Sequence, residues 1–342
     1  MKVLVTGGAG YIGSHAVREL ILAGHQVIVL DDLSQGHRRA VHPDAIFIRG
    51  STSNPEMLAR TMGLYGIEAV MHFAAHIEVA ESVAHPKKYY QNNLSNTLNL
   101  LQAMVDLKIR KLVFSSTAAV YGEPQTELLE EDHPRSPLNP YGRSKMMSEM
   151  VIEDFCKSYG MHATVLRYFN VAGATPSAVI GEDHRPETHL IPKILKAALT
   201  SNPEVKIYGT DYPTFDGTCV RDYVHVVDLA RAHVCALEGL NNGISGTFNI
   251  GSEKGFSVRQ VIQSCEKITG KKLIVKEEGR RPGDPAILVA SSQKTEKVLG
   301  WERLYPDLDT IIKHAWQWHS SHPEGYADIL PEQEFQFYQI SN

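Results

Sequence analysis

Along the first half of the chain, short apolar runs alternate with longer stretches in which apolar residues recur every three or four positions. Val3-Leu4-Val5, Val27-Ile28-Val29-Leu30, Ala45-Ile46-Phe47-Ile48 and the segments 68–73, 111–114 and 164–168 have the near-continuous hydrophobicity of strands buried on both faces. Between them, 11–23, 55–62, 89–107 and 140–159 carry helical periodicity; Leu94, Leu98, Leu101 and Val105 mark one face of the third. Asn54-Pro55 and Asn139-Pro140 are helix-start signals, an asparagine cap followed by proline in the first turn. Strands joined by helical crossovers predict a parallel sheet covered on both faces, an α/β doubly wound fold of the Rossmann type.

After Asn170 the alternation breaks. The segment 173–187 is rich in glycine, proline and charge. Helices are then expected over 191–200, 226–240, 258–269 and 308–320, and strands over 205–208, 247–250 and 273–276. This predicts a dinucleotide-binding domain over 1–170, a smaller substrate-binding α/β lobe over 171–330 with some elements returning to the first, and a polar tail over 331–342.

Composition narrows the classes. At 342 residues, the chain can bury a sizeable core. Its net charge of −5 gives no pull toward nucleic acid or an anionic membrane. No apolar run approaches the ~20 residues of a membrane span. The first expected strand begins at residue 2, with no secretion signal before it, and the four cysteines are far apart. They read as free thiols in the cytoplasm, with no metal-ligand spacing among them.

The chemistry begins in the turn after the first strand. Gly7-Gly8-Ala9-Gly10-Tyr11-Ile12-Gly13 follows a strand and opens a helix, and Asp31 stands 18 residues past Gly13 at the end of the next strand. Glycines let the backbone approach a pyrophosphate, the helix start offers free N–H groups, and the carboxylate accepts from a ribose 2′-hydroxyl. A 2′-phosphate would be repelled there, so NAD is favoured over NADP. Tyr141 has a lysine four residues on, Lys145, which shares its helix face. A cation beside a phenol lowers its pKa toward the range of a usable base. Thr117, beyond the strand that ends at Phe114, can share a proton with that phenol at the carboxyl edge of the sheet. Arg221 and Arg281 suit a diphosphate.

These motifs occur in a fixed order: Thr6 to Gly13, His72-Phe73-Ala74-Ala75, Ser115 to Gly122, Tyr141-Gly142-Arg143-Ser144-Lys145, Arg167-Tyr168-Phe169-Asn170, Gly217 to Val226 and the turn at Arg281. Together they resemble the nucleotide-sugar 4-epimerases of the extended short-chain dehydrogenase/reductase family, nearly to Tyr326. The resemblance implies a retained NAD and interconversion of UDP-glucose and UDP-galactose by transient oxidation at sugar C4. It implies Tyr141 as general base, Thr117 in its hydrogen-bond path, and Lys145 on the nicotinamide ribose. For the cofactor it implies Gly7, Gly10, Tyr11, Ile12, Gly13, Asp31, Ser51, Thr52, Phe73, Ala74, Ala75, Asn92, Lys145 and Phe169. For the UDP-sugar it implies Thr117, Tyr141, Tyr168, Asn170, His189, Leu190, Arg221, Arg281 and Asp284, with Tyr208 stacked on the uracil. It implies no metal, and a homodimer formed through the helices that begin near Tyr89 and Pro140.

The chain departs from its relatives at Ser51, where many carry an acidic residue, at Thr117, where serine is frequent, and at Ile77, where some place a lysine against the cofactor phosphates. Ala118-Ala119 replaces the Asp-Glu pair of the 4,6-dehydratases, so elimination of water is excluded. UDP-N-acetylhexosamines, uronates and pentoses are the alternative substrates; Leu288 aligns with the family's size gate and leaves N-acetyl sugars open as a side activity. A non-enzymatic sensor of NAD or nucleotide sugar would have no use for Tyr141, Lys145 and Thr117 together.

Overall fold

The computed structural model describes residues 1–281 and 283–327; the tail expected over 331–342 lies outside the described residues. Its strands are β1 (Lys2–Thr6), β2 (Gln26–Asp31), β3 (Ile46–Arg49), β4 (Ala69–His72), β5 (Lys111–Thr117), β6 (His162–Tyr168), β7 (Asn170–Ala172), β8 (Glu204–Tyr208), β9 (Val220–His225), β10 (Gly246–Ile250), β11 (Gly255–Ser257), β12 (Ile274–Glu278) and β13 (Ile287–Leu288). Seven of them form one sheet in the order β10-β6-β5-β4-β1-β2-β3, every pairing parallel. The expected doubly wound sheet is present. Its order reverses between β1 and β4, so the connections that follow them leave in opposite directions and open a crevice on the carboxyl side.

Alternation along β1 sends Val3 and Val5 to one face and Leu4 to the other, and each face has its own core. Val3, Val5 and Val29 pack with Val17 and Leu20 of the helix Tyr11–Leu22 and with Leu229 and Leu237 of the helix Val226–Asn241. Leu4, Ile28 and Val70 pack with Leu58, Met62, Leu100, Leu101, Met104 and Ile152. One covering helix and the edge strand β10 therefore come from the second half of the chain. The remaining elements build a sheet around β9, flanked by β11, β13 and β7, and a parallel pair β8–β12. Their core holds Ile194, Leu195, Ile207, Tyr223, Val261, Ile262 and Ile312.

Several elements differ from expectation. β5 runs three residues past Phe114, because Ser115, Ser116 and Thr117 stay in register with Leu166, Arg167 and Tyr168 of β6. The helix expected over 89–107 is broken: Pro86–Tyr89, a π-helical stretch Tyr90–Ser95, then Asn96–Asp106. In the wide turn Asn93 accepts from His76 N at 2.9 Å and donates to His76 O at 3.0 Å, pinning the loop after β4. Strand β9 was not expected, because Arg221 and Asp222 interrupt its apolar pattern. Both are buried and compensated: Arg221 donates to Asp284 at 2.9 Å, and Asp222 accepts from Ser252 N, Ser252 Oγ and Ala290 N at 2.6, 2.6 and 3.0 Å. Burial still lifts the Asp222 carboxyl to about 6.

The helix Pro140–Tyr159 is started by Asn139, whose side chain accepts from Gly142 N at 2.9 Å. Its buried face continues to Glu149, 1% exposed, which accepts from Arg167 Nε at 3.0 Å, Arg167 Nη2 at 2.6 Å, Arg135 Nη1 at 3.1 Å and the Ser116 hydroxyl. Arg167 also donates to Tyr121 OH at 3.1 Å. Removing one partner strands the other's charge. Glu149→Gln is expected to cost about 3–5 kcal/mol in urea unfolding, and the paired change Glu149→Leu with Arg167→Met much less.

Candidate active site

The turn after β1 is shaped by contacts only glycine allows. Gly7 has φ +75°, and a Cβ there would lie 2.6 Å from Ala74 N; at Gly13 it would lie 2.1 Å from Gly7 O. Gly10 differs: its added Cβ would meet only Gly7 O, at 3.4 Å. The protein itself does not fill the space over Gly10, yet the helix begins there with no side-chain cap and no acidic residue in its first turn. Such a start presents unpaired backbone N–H groups and positive potential to an anion. Tyr11 anchors the turn by donating to Gly173 O at 2.7 Å, and Ile12 packs on the first core.

Asp31, at the end of β2, accepts from Ala9 N at 2.9 Å and Leu33 N at 2.8 Å, and burial raises its pKa. A carboxylate has further lone pairs, so acceptor capacity remains for a ribose hydroxyl. Phe73, Ala74 and Ala75 follow the end of β4, with Ala74 N donating to Thr6 O at 3.1 Å. Ser51 and Thr52 follow β3; Ser51 Oγ accepts from Ser53 Oγ at 3.0 Å, and Thr52 is buried. Asn92 lies in the π-helical stretch and accepts from Asn96 at 3.2 Å. Phe169 directs its ring into a cluster with Ala118, Val120, Tyr121, Leu129 and Ala290, against which Leu288 packs. Ile77, where relatives place lysine, is 39% exposed.

Thr117, Tyr141 and Lys145 come together at the carboxyl end of β5. The Tyr141 phenol lies against the Thr117 side chain. Lys145 donates to Ser115 O at 2.9 Å and lies 4.8 Å from the Phe114 ring centroid. Burial pushes the phenol up to about 12, opposed by the Thr117 contact and reinforced by Glu78. Lys145 is expected to lower it; instead burial dominates, and the ammonium, itself weakened by burial, is neutral in the range where the phenol titrates. Burial lowers the ammonium itself to about 7, although Glu149 supports it. Ser115 and Glu149 are supporting residues that sequence reading missed. A glutamate four residues after Lys145 was the available signal for the second; the carbonyl had none. Tyr168 bonds to Ser115 Oγ at 2.8 Å, and Asn170 opens β7.

The second lobe contributes paired groups. Arg221 is bound to Asp284, and Arg281 stacks its guanidinium 3.7 Å from the ring centroid of Tyr208. His189 precedes the helix Leu190–Ala198, and its Nδ1 lies 2.7 Å from Glu182 Oε1 and 3.3 Å from Glu187 Oε1. Those carboxylates raise its pKa well above the ordinary value despite burial.

Residues 3–251 match the model of the NAD dependent epimerase/dehydratase family. The chain belongs to that family. It is 49% identical over 328 residues to a UDP-glucose 4-epimerase of Halalkalibacterium halodurans, covering 96% of this chain and 98% of that protein. It is similar in structure to the UDP-glucose 4-epimerase of Brucella ovis solved in complex with NAD, at TM-score 0.90, 43% identity and 92% and 97% coverage. The enzyme of Bifidobacterium longum, in complex with NAD+ and UDP, is similar at TM-score 0.89, 37% identity and 95% and 100% coverage. The cradle over Gly10, the uncapped helix start and the carboxylate of Asp31 fit the cofactor of this family.

Two outcomes follow from this geometry. Gly10→Ala is expected to leave the thermal midpoint almost unchanged while retained NAD falls at least ~10-fold, because the methyl occupies ligand space. Gly13→Ala, by contrast, is expected to destabilise by about 1–3 kcal/mol or more, since the methyl meets backbone. Lys145 sets a pH dependence. Below about pH 7 both folded and unfolded states hold its proton. Between about 7 and its ordinary value of 10.5 the unfolded chain holds it more, so the stability of cofactor-free protein rises with pH. Above about 10 the raised pKa of Tyr141 acts oppositely and erodes that gain. Denaturant titrations from about pH 6.5 to 9.5 are expected to show the rise in the native protein and its loss in Lys145→Met.

Proposed function

We propose that this chain is an NAD-dependent 4-epimerase that interconverts UDP-glucose and UDP-galactose. What carries the reading is Tyr141 next to Thr117, with the buried Lys145 on the same helix face, at the open end of a sheet with an intact glycine cradle. The full-length match to UDP-glucose 4-epimerases supports the choice of substrate.

Bound NAD supplies a reversible two-electron acceptor for C4 of the sugar. Gly7, Gly10, Tyr11, Ile12 and Gly13 present backbone to its diphosphate, and Asp31 accepts from a ribose hydroxyl. Ser51, Thr52, Phe73, Ala74, Ala75, Asn92 and Phe169 border the same crevice, and Lys145 donates to the second ribose. Tyr141 takes the proton of the sugar 4-hydroxyl and later returns it. Thr117 holds the hydrogen bond between that oxygen and the phenol. A phenol near 12 is a weak base at neutral pH, so Tyr141 needs cationic charge alongside before it ionises. Ligand occupancy, with the oxidised cofactor and a protonated Lys145, provides it.

Inversion requires the oxidised sugar to expose its other face, so the sugar must be held loosely. Affinity then has to come from the nucleotide half. Arg221 and Arg281 contact the diphosphate, Tyr208 the uracil, and Tyr168, Asn170, His189, Leu190 and Asp284 complete the pocket. The exposed Leu98, Leu107, Met147 and Met150, on or at the ends of neighbouring helices, support pairing of two copies through that face. Among the described residues, no helix is long and apolar enough to cross a membrane, and the four cysteines are unpaired, which supports a reducing cytoplasm.

Tyr141→Phe is expected to lower kcat for UDP-galactose by about 10²–10⁴-fold while affinity for UDP stays within about twofold. Coupled assay of UDP-glucose formation and calorimetric titration with UDP measure the two; unchanged turnover would remove Tyr141 as the base.

A further inference from the structure

Glu182, His184, Glu187 and His189 bring four metal-ligating atoms together in the segment before the helix Leu190–Ala198, all within 4.8 Å of one another. His189 Nδ1 and His184 Nδ1 lie 2.7 and 3.1 Å from Glu182 Oε1. Glu187 Oε1 lies 3.3 Å from His189 Nδ1, and Glu187 Oε2 lies 3.9 Å from His184 Nδ1. A tetrahedral zinc ion with bonds of about 2.0–2.2 Å spaces its ligand atoms about 3.4 Å apart, so the measured separations bracket what the ion requires. The side chains of Glu182 and Glu187 are only 2% and 7% exposed. Glu187 Oε2 is buried and has no hydrogen-bond partner. A buried carboxylate oxygen without a donor is costly, and this one lies 3.9 Å from His184 Nδ1. The nearest fixed cation, Lys196 Nζ, is 4.0 Å from Glu187 Oε2 and 3.9 Å from Asp183 Oδ1, beyond hydrogen-bond range of either.

We infer that Glu182, His184, Glu187 and His189 form a closed binding site for a zinc-class divalent ion. Two imidazoles and two carboxylates are a donor set that suits Zn²⁺, and two carboxylates neutralise its charge. The imidazole protons now shared with the glutamates leave to solvent as the ion binds. With four protein ligands and no open position, the ion is structural. It ties the segment after β7 to the start of the helix Leu190–Ala198. His184 reaches the ring of Tyr11 at 6.2 Å, and Trp318 Nε1 donates to Glu182 O at 3.1 Å, so the same tie reaches the glycine turn and the last helix. His189 would use Nδ1 for the metal and keep Nε2 for a ligand in the cleft, so the site coexists with the epimerase reading and does not depend on it.

The test uses the full chain with its cofactor. After dialysis against a chelator, the protein is titrated with Zn²⁺ and, separately, with Co²⁺. The inference expects about one tightly held zinc per chain and the intense visible bands of tetrahedral Co²⁺. It also expects a thermal midpoint that rises on zinc addition. His184→Ala and Glu187→Gln, which lie outside the proposed catalytic groups, are each expected to weaken zinc at least ~10-fold and to abolish the Co²⁺ bands. His162→Ala, on an exposed histidine elsewhere, is expected to change neither. Absence of zinc binding in the native chain, zinc retained equally by His184→Ala with Glu187→Gln, or a weak octahedral Co²⁺ spectrum would each overturn it. If one variant fails to fold, the native chain's Co²⁺ spectrum still decides.

Discussion

The pair between Glu149 and Arg167 fixes how the helix Pro140–Tyr159 sits on β5 and β6, and the reactive end of the site depends on that placement. Arg167 belongs to β6 and faces Ser116 of β5 across the parallel ladder, and Glu149 gathers both. Lys145 lies one turn before Glu149 and Tyr141 one turn earlier still, so one helical face carries the anchor, the ammonium and the phenol in line. The anchor is buried on both sides, so a shift of the helix would break charge-assisted bonds in a dry environment, where they are hardest to replace. Tyr141 is held near Thr117 by an interaction two turns away.

The same burial sets the resting chemistry. Without a neighbouring cation, the interior disfavours both the phenolate and the ammonium, and the pKa values of Tyr141 and Lys145 move in opposite directions, to about 12 and about 7. A pair built this way is electrically quiet until something charged joins it. Lys145 donates a hydrogen bond to the carbonyl of Ser115 and keeps its place beside the phenol's helix face.

Much of this was legible in the sequence because the first half obeys simple periodicities. Continuous apolar runs gave the buried parallel strands, and Asn139-Pro140 located the start of the helix that carries Tyr141 and Lys145. What escaped is where side chains override the pattern. β9 is hidden because a strand containing Arg221 and Asp222 does not read as buried until Asp284, Ser252 and Ala290 are seen to satisfy it. The π-helical turn at Asn92 and Asn93 reflects bonds to His76, far away in sequence. Burial, which the sequence pattern does not display, sets the pKa of Tyr141 and Lys145 here. A spacing of four places two groups on one face but does not say which partner each will choose.

The second lobe presents its polar groups already matched. Arg221 holds Asp284, and Arg281 covers the face of Tyr208. A nucleotide entering there must displace or share these contacts, so part of its binding energy is spent on exchange rather than gained outright. That exchange favours ligands that return equivalent partners: two phosphate groups for the guanidinium donors and a flat ring for the tyrosine. A sugar phosphate without a base would leave the Tyr208 face uncompensated, and a base without phosphates would leave the arginines so. On the proposed function, discrimination for a complete nucleoside diphosphate would arise from the pairs this lobe makes with itself, while the sugar, which must turn, would meet none of them.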